Sequence, residues 1–116
     1  MKPNPFRVRE TGIVLSGKHY EKCVKFYSEK MGFPVRFQKP YLTNFEFGGS
    51  YLLIEKGKVQ KALRNGLLRL NVPDVPRAVR ILRKRGVRVR FRTYDWGDIG
   101  QTQDPEGNLL EFCRWK

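Results

Sequence analysis

A short apolar stretch, Gly12-Ile13-Val14-Leu15-Ser16, opens the first half of this chain, and a similar one, Leu67-Leu68-Arg69-Leu70-Asn71, opens the second. Each half also closes on an apolar stretch that contains a glutamate, Ser50 to Glu55 and Asn108 to Phe112. Landmarks recur at a nearly constant offset: 55 positions separate Ile13 from Leu68, 54 separate Gly32 from Gly86, and 56 separate Glu55 from Glu111. This periodicity predicts a tandem repeat of one supersecondary unit.

The first half has the pattern of a β-α-β-β-β unit. The strand at 13–15 is followed by apolar residues at helical spacing from Tyr20 to Met31, and Gly32 is a suitable residue to end that helix. Alternation of apolar and polar residues then predicts a strand from Val35 to Phe37, and Gly48-Gly49 predicts the turn of a closing hairpin.

The second half repeats this order with clearer helix boundaries. Asp74 is a candidate N-cap, and Gly86 ends the helix. A strand with alternating arginines follows over 87–92, and residues 93–100 are interpreted as a loop that carries Tyr94 and Trp96. The turn at 104–108, Asp-Pro-Glu-Gly-Asn, leads into the last strand. The 116 residues therefore form one domain, with modules at about 8–57 and 67–116 and a linker at about 58–66.

The composition indicates the partners and the compartment. A net charge of +13 attracts anions and repels polycations. Cys23 and Cys113 fall within a helix and a strand and are interpreted as buried free thiols, which favours the reducing cytoplasm. The segment from Met1 to Pro5 does not have the apolar pattern of a signal peptide, and no apolar run reaches the roughly 20 residues of a membrane span. We therefore expect a cytoplasmic protein with no membrane partner.

Several motifs resemble the vicinal-oxygen-chelate superfamily, which includes glyoxalase I, bleomycin-resistance proteins and extradiol dioxygenases. They are Lys25-Phe26-Tyr27, Met31-Gly32-Phe33, Trp96-Gly97 and, most specifically, the stretch from Asp104 to Glu111. The resemblance covers most of the chain. It implies an α+β fold in which two tandem βαβββ modules form a curled, open, barrel-like mixed sheet with the helices outside, usually in a homodimer.

The resemblance also implies a divalent metal, held by His or Gln and by Glu from the first and last strands of each module. The first-strand positions correspond here to Gly12 and to Leu67, or to Asn65 in a shifted register, and the closing-strand positions to Glu55 and Glu111. Two carboxylates alone suit only a weak site for Mg²⁺ or Ca²⁺. The one histidine, His19, is expected in an exposed loop before the first helix. We therefore predict no cofactor, with a weakly held divalent metal as the alternative.

Arg69 strengthens the prediction of a metal-free groove. It lies two positions beyond Leu67 and so points to the same face of its strand. Because unpaired carboxylates in a half-buried site are costly, we expect an ion pair of Arg69 with Glu111 or with Glu55. The candidate ligand-binding residues are Tyr51, Glu55, Arg69, Trp96 and Glu111.

Three functions remain open at the level of sequence. The first is a metal-free protein that binds a small, anionic, partly aromatic molecule in the groove, with Arg36 and the strand arginines around its mouth. The second is a divergent metal-dependent lyase, isomerase or transferase. The third is an adaptor that binds nucleic acid or an acidic partner through the basic surface from Arg77 to Arg92.

Overall fold

The computed structural model of the chain describes residues 8–57 and 66–114, so most of the predicted linker at 58–66 lies outside the described residues. The first module comprises β1 (Gly12–Gly17), α1 (Tyr20–Lys25), a π-helical segment (Phe26–Lys30), β2 (Val35–Lys39), β3 (Leu42–Phe47) and β4 (Ser50–Lys56). The second module comprises β5 (Leu68–Asn71), α2 (Val75–Lys84), β6 (Arg90–Tyr94), β7 (Gly97–Gln103) and β8 (Leu109–Cys113).

Each module forms a four-stranded mixed sheet, in the order β1-β4-β3-β2 in the first and β5-β8-β7-β6 in the second. The pairs β1–β4 and β5–β8 are parallel, and every other neighbouring pair of strands in the two sheets is antiparallel. The predicted α+β fold of two tandem βαβββ modules is therefore confirmed, and these sheets do not close into a barrel. Within the described ranges, no helix has the length and apolar character needed to cross a membrane.

Helix α2 covers one face of the second sheet. The Asp74 carboxylate accepts a hydrogen bond from the backbone N–H of Arg77 at 3.0 Å, as expected of an N-cap. The helix buries Val75, Val79 and Leu82 in a cluster with Val89 and Phe112. Since Val89 faces the helix, Arg88 and Arg90 on either side of it face away from the helix.

The predicted first helix is α-helical only in its first half. Its second half is π-helical, with the N–H of Met31 donating to the carbonyl of Phe26 at 2.9 Å. The consecutive rings of Phe26 and Tyr27 are both buried, in an edge-on contact with 5.1 Å between centroids.

The turn at 104–108 joins the two modules. Asp104 is buried; its Oδ1 accepts the backbone N–H groups of Glu106 and Asn108, and its Oδ2 accepts the Tyr27 hydroxyl of the first module at 2.6 Å. Burial, together with the Asp104 carboxylate, raises the pKa of the Tyr27 phenol, so this hydroxyl remains a donor. The Asp-Pro-Glu-Gly-Asn motif is thus a structural junction between the modules.

His19 lies beside the same junction. Its backbone N–H donates to the Glu106 carboxylate, and the residue is half-buried at the start of α1, not in the exposed loop expected from the sequence. The hydrophobic core crosses between the modules as well, because Leu68 and Leu110 of the second sheet pack in the cluster that holds α1.

The interpretation of residues 93–100 as a loop is wrong. Strands β6 and β7 form a hairpin in which Tyr94 pairs with Gly97, so that only Asp95 and Trp96 make the turn. Gly97 has a φ of +148°, a conformation that favours glycine and permits the tight reversal. As a consequence, Tyr94 belongs to strand β6 and shares the face of Arg90 and Arg92.

Candidate functional site

Four polar side chains form a row across the open face of the second sheet. The strand register places Arg69 on β5 beside Glu111 on β8, Glu111 beside Gln101 on β7, and Gln101 beside Arg90 on β6. Side chains of directly paired residues lie on the same face of a sheet, and this is the face opposite α2.

Glu111 is the centre of this row. Glu111 is only 4% exposed, and both of its carboxylate oxygens accept hydrogen bonds. Oε1 accepts from Arg69, at 2.8 Å from Nε and 2.6 Å from a terminal guanidinium nitrogen, and Oε2 accepts from Gln101 Nε2 at 3.0 Å. The predicted ion pair of Arg69 is confirmed, and Glu111 is its partner. The two guanidinium nitrogens on Oε1 and the amide on Oε2 together offset the cost of burying the carboxylate.

A cavity of about 330 Å³ lies beside the row, at the end of the β6–β7 hairpin. The residues of its lining that carry polar or aromatic groups are Arg90, Arg92, Tyr94, Trp96, Gln101 and Glu111. The rings of Tyr94 and Trp96 stack nearly parallel, with 5.3 Å between centroids and 6° between planes. Both arginines are exposed, and neither forms an ion pair within residues 8–57 and 66–114. The cavity thus combines free positive charge with an aromatic wall.

Two of the predicted site residues lie elsewhere. Tyr51 on β4 is paired with Gly12 on β1, and its ring covers Gly12 so closely that a Cβ built there would overlap it. Glu55 is half-buried beside Ser16 and Glu106, in a hollow of only about 10 Å³. Of the five predicted residues, Trp96 and Glu111 line the cavity, Arg69 contacts it only through Glu111, and Tyr51 and Glu55 lie elsewhere.

The family model of the Glyoxalase/Bleomycin resistance protein/Dioxygenase superfamily matches residues 12–112 of the chain. The chain belongs to this superfamily. No curated protein sequence matches the chain.

Several solved structures of the superfamily share the fold. A lactoylglutathione lyase from Agrobacterium tumefaciens is 19% identical with a TM-score of 0.73, over 96% of this chain and 95% of that one. A glyoxalase/bleomycin resistance protein/dioxygenase from Nocardioides is 21% identical with a TM-score of 0.72, over 94% and 84%. A glyoxalase-related enzyme from Fulvimarina pelagi is 19% identical with a TM-score of 0.74, over 93% and 89%. At these identities the similarity establishes the fold alone.

The side chains do not fit the divalent metal that the superfamily resemblance implies. Both oxygens of Glu111 are occupied by Arg69 and Gln101, and the ring of Tyr51 fills the space in which a side chain at residue 12 would lie. Within the described part of the chain, no three His, Cys, Asp or Glu residues come together in a group that could hold a metal. A guanidinium lies where a metal would contact Glu111.

Two expectations about arginines need correction. Arg36 does not contribute free charge to a groove mouth, because it bonds Glu10 at 3.1 Å and Glu46 at 3.0 Å. The hydrogen bonds from Arg36 lower the pKa of Glu10. The basic segment from Arg77 to Arg92 is also not a single surface, because the exposed arginines of α2 and those of β6 lie on opposite sides of the second sheet.

Gln101 was not predicted as a site residue because the assumed loop ended next to it. Had β7 been recognised, alternation with Gln103 would have placed Gln101 opposite Glu111. Alternation alone places Arg90 and Arg92 on one face of their strand. The two-residue hairpin turn is what brings the rings of Tyr94 and Trp96 to these arginines.

Proposed function

We propose that this protein binds a small anionic molecule, without a metal, in the cavity beside the β6–β7 hairpin. The observation that carries the proposal is the neutralisation of Glu111 by Arg69 and Gln101. Because the one acid in the cavity is already paired, Arg90 and Arg92 are its uncompensated charges. Such a site attracts an anion and disfavours a cation.

The shape and the walls of the cavity support a small molecule with an aromatic part. Its volume of about 330 Å³ is at the lower end of the range for ligand pockets. An aromatic wall with a few fixed polar groups is the usual lining of such pockets. The stacked rings of Tyr94 and Trp96 supply the wall, and the two arginines supply charge-assisted donors.

We further propose that the protein acts in the cytoplasm as a homodimer. Its two cysteines are both buried free thiols, which suits a reducing compartment. Val14 and Phe37 of the first module are each about half exposed and lie in one row across the open face of the first sheet, with Leu53 and Asn44 between them. Exposed apolar side chains on one sheet face are typical of a surface that a second copy covers.

Calorimetric titration with benzoate and with phenyl phosphate tests the binding proposal. We expect both anions to bind with and without EDTA. The double substitution Arg90→Gln/Arg92→Gln should weaken binding about a hundredfold or more, since each of the two lost charge-assisted bonds contributes about 1.5–3 kcal/mol. The matched control is Arg77→Gln/Arg80→Gln, which removes the same charge from the exposed face of α2.

Binding that disappears with EDTA would favour the metal-dependent lyase, isomerase or transferase. An equal loss in both double variants would indicate attraction by net charge alone. Either result, or the absence of binding, would contradict the proposed site.

A further inference from the structure

Strand β6 and the residues that flank it carry a regular series of side chains on one face. Arg88, Arg90 and Arg92 occupy alternate positions and are followed by Tyr94 and then by Trp96 in the turn. The Arg88 carbonyl accepts the Thr102 hydroxyl at 2.7 Å, which holds this residue against β7 before the strand itself begins. Alternate residues of a strand are about 6.7 Å apart, so the three arginines extend over about 13 Å.

A larger groove of about 860 Å³ adjoins the cavity, since Arg90 and Gln101 line both spaces and Arg88 also lines the groove. A ligand that enters beside Trp96 therefore meets the three arginines of one strand face in turn. We call this surface, from Trp96 through Arg92 and Arg90 to Arg88, the β6 track.

No acid near the β6 track, including Asp95 in the hairpin turn beside Trp96, forms an ion pair with the track arginines within the described residues. Glu111 is paired with Arg69, and Asp104 in the larger groove is buried and bonded to Tyr27. Asp98 pairs with Thr93 across the hairpin. Because Thr93 follows Arg92 directly along β6, the side chains of Thr93 and Asp98 lie on the face of the sheet opposite the Arg92 side chain. Within residues 8–57 and 66–114, none of the three track arginines has an acidic partner.

The aromatic end of the track has an open stacking surface. Trp96 is 67% exposed although one face of its indole lies on the Tyr94 ring. A parallel, exposed aromatic pair next to a line of cations has the components with which proteins hold single-stranded nucleic acid: rings for the bases and positive charges for the backbone.

We propose that the β6 track binds a nucleobase joined to a chain of phosphates, with the base on Trp96 and the phosphates along Arg92, Arg90 and Arg88. This inference rests on the proposed anion site and names its ligand class. A free nucleoside polyphosphate and the end of a single strand share this chemistry. A duplex does not, because its bases are stacked inside. Because every base has a stacking face, recognition is independent of base identity.

Tryptophan fluorescence reports on this site directly. Trp115→Phe leaves Trp96 as the only tryptophan of the chain, and this variant is titrated with AMP, ADP, ATP, hexathymidylate and inorganic triphosphate. We expect quenching of Trp96 by every nucleotide and affinity that increases with each added phosphate. Trp96→Ala, assayed by calorimetry, should weaken ATP binding about tenfold to a hundredfold, since stacking contributes about 1–3 kcal/mol per base.

Arg88→Gln/Arg90→Gln/Arg92→Gln should abolish the dependence of affinity on phosphate number. The control with the same charge change is Arg77→Gln/Arg80→Gln/Lys84→Gln on the exposed face of α2, and thermal unfolding verifies that each variant folds. Tighter binding of hexathymidylate than of ATP would identify the end of a single strand as the ligand. The reverse order would identify a free nucleotide.

Three results would overturn the inference in distinguishable ways. If inorganic triphosphate binds as tightly as ATP, no base stacks on Trp96. If phenyl phosphate binds as tightly as ATP, the anion site exists but does not extend along β6. If neither nucleotides nor benzoate and phenyl phosphate bind, the proposed function fails together with this inference.

Discussion

Glu111 shows how a single residue can be held buried and charged by its neighbours on adjacent strands. The Glu111 side chain is 6% exposed, whereas the Arg69 side chain is 48% exposed, so water still solvates the cationic partner. Losing only the arginine would leave a buried acid with one amide donor, which is much worse than losing both charges.

We therefore expect Arg69→Met to lower the free energy of unfolding by about 3 kcal/mol. The double variant Arg69→Met/Glu111→Leu should recover part of that loss because no uncompensated charge remains. Urea unfolding curves measure both effects. The control is Lys25→Met, which breaks an exposed pair with Glu29 at 4.0 Å and should change stability by about 0.5 kcal/mol or less. A loss for Arg69→Met as small as that of the control would mean that the pair does not stabilise the fold.

The sequence predicts some of these residue contacts and not others. Strand alternation and the repeat predict that Arg69 pairs with a glutamate of a closing strand, Glu111 or Glu55, and the strand register decides for Glu111. The ring of Tyr51 over Gly12 cannot be predicted, because a glycine does not indicate which neighbour occupies the space beside it. That contact depends on the strand register, which is set by the complete sheet.

Individual elements are predictable where their boundaries carry a chemical signal. Asp74 and Gly86 bound α2 as expected. The stretch from Thr93 to Gly100 mixes polar, aromatic and glycine residues without clear alternation, and its strands become evident only from their pairing. Since a shift of one residue would move every side chain to the other face, this two-residue turn determines whether Tyr94 and Trp96 meet the arginines.

The turn at 104–108 is the element that couples the modules, and its contact with Tyr27 can be tested. Tyr27→Phe removes the hydrogen bond to the Asp104 carboxylate, and we expect the unfolding free energy to fall by about 1.5–3 kcal/mol, since the acceptor is charged and buried. Tyr20→Phe removes a bond of similar length, 2.8 Å, to the neutral Thr43 hydroxyl and should cost only about 0.5–1.5 kcal/mol.

Both variants are compared by chemical denaturation, and the slope against denaturant must stay unchanged for the comparison to hold. If Tyr20→Phe costs as much as Tyr27→Phe, the Asp104 carboxylate contributes no more to the junction than a neutral acceptor would.

Across the whole molecule, most acidic side chains already accept hydrogen bonds or form ion pairs, so few of them remain to neutralise the excess of positive charge. Of the eleven acidic residues, seven accept hydrogen bonds or form ion pairs with partners in the described ranges, 8–57 and 66–114. They are Glu10, Glu29, Glu46, Asp74, Asp104, Glu106 and Glu111. The net charge of +13 therefore acts over the whole surface, and the β6 track differs from the rest by its aromatic end rather than by charge alone.

This excess of charge predicts an unusual response to salt. Raising NaCl from about 10 mM to about 0.15 M shortens the Debye length from about 30 Å to about 8 Å and screens the repulsion among like charges. We expect the melting temperature to rise, by about 4–8 °C if the gain is on the order of 1 kcal/mol. A protein stabilised mainly by surface ion pairs would instead melt at a lower temperature.

Sulfate separates general screening from binding at the cavity. At equal ionic strength we expect Na₂SO₄ to raise the melting temperature more than NaCl, because a divalent anion binds the free arginines and because sulfate is excluded from protein surfaces in general. Arg90→Gln/Arg92→Gln should lose part of this additional rise and keep the NaCl effect, whereas Arg77→Gln/Arg80→Gln should keep both.

Calorimetric scans of the unsubstituted protein and the two double variants in the two salts give the comparison. A melting temperature that falls with NaCl would show that the positive charges do not oppose folding, and an identical response to sulfate in both double variants would show that sulfate does not bind at the cavity.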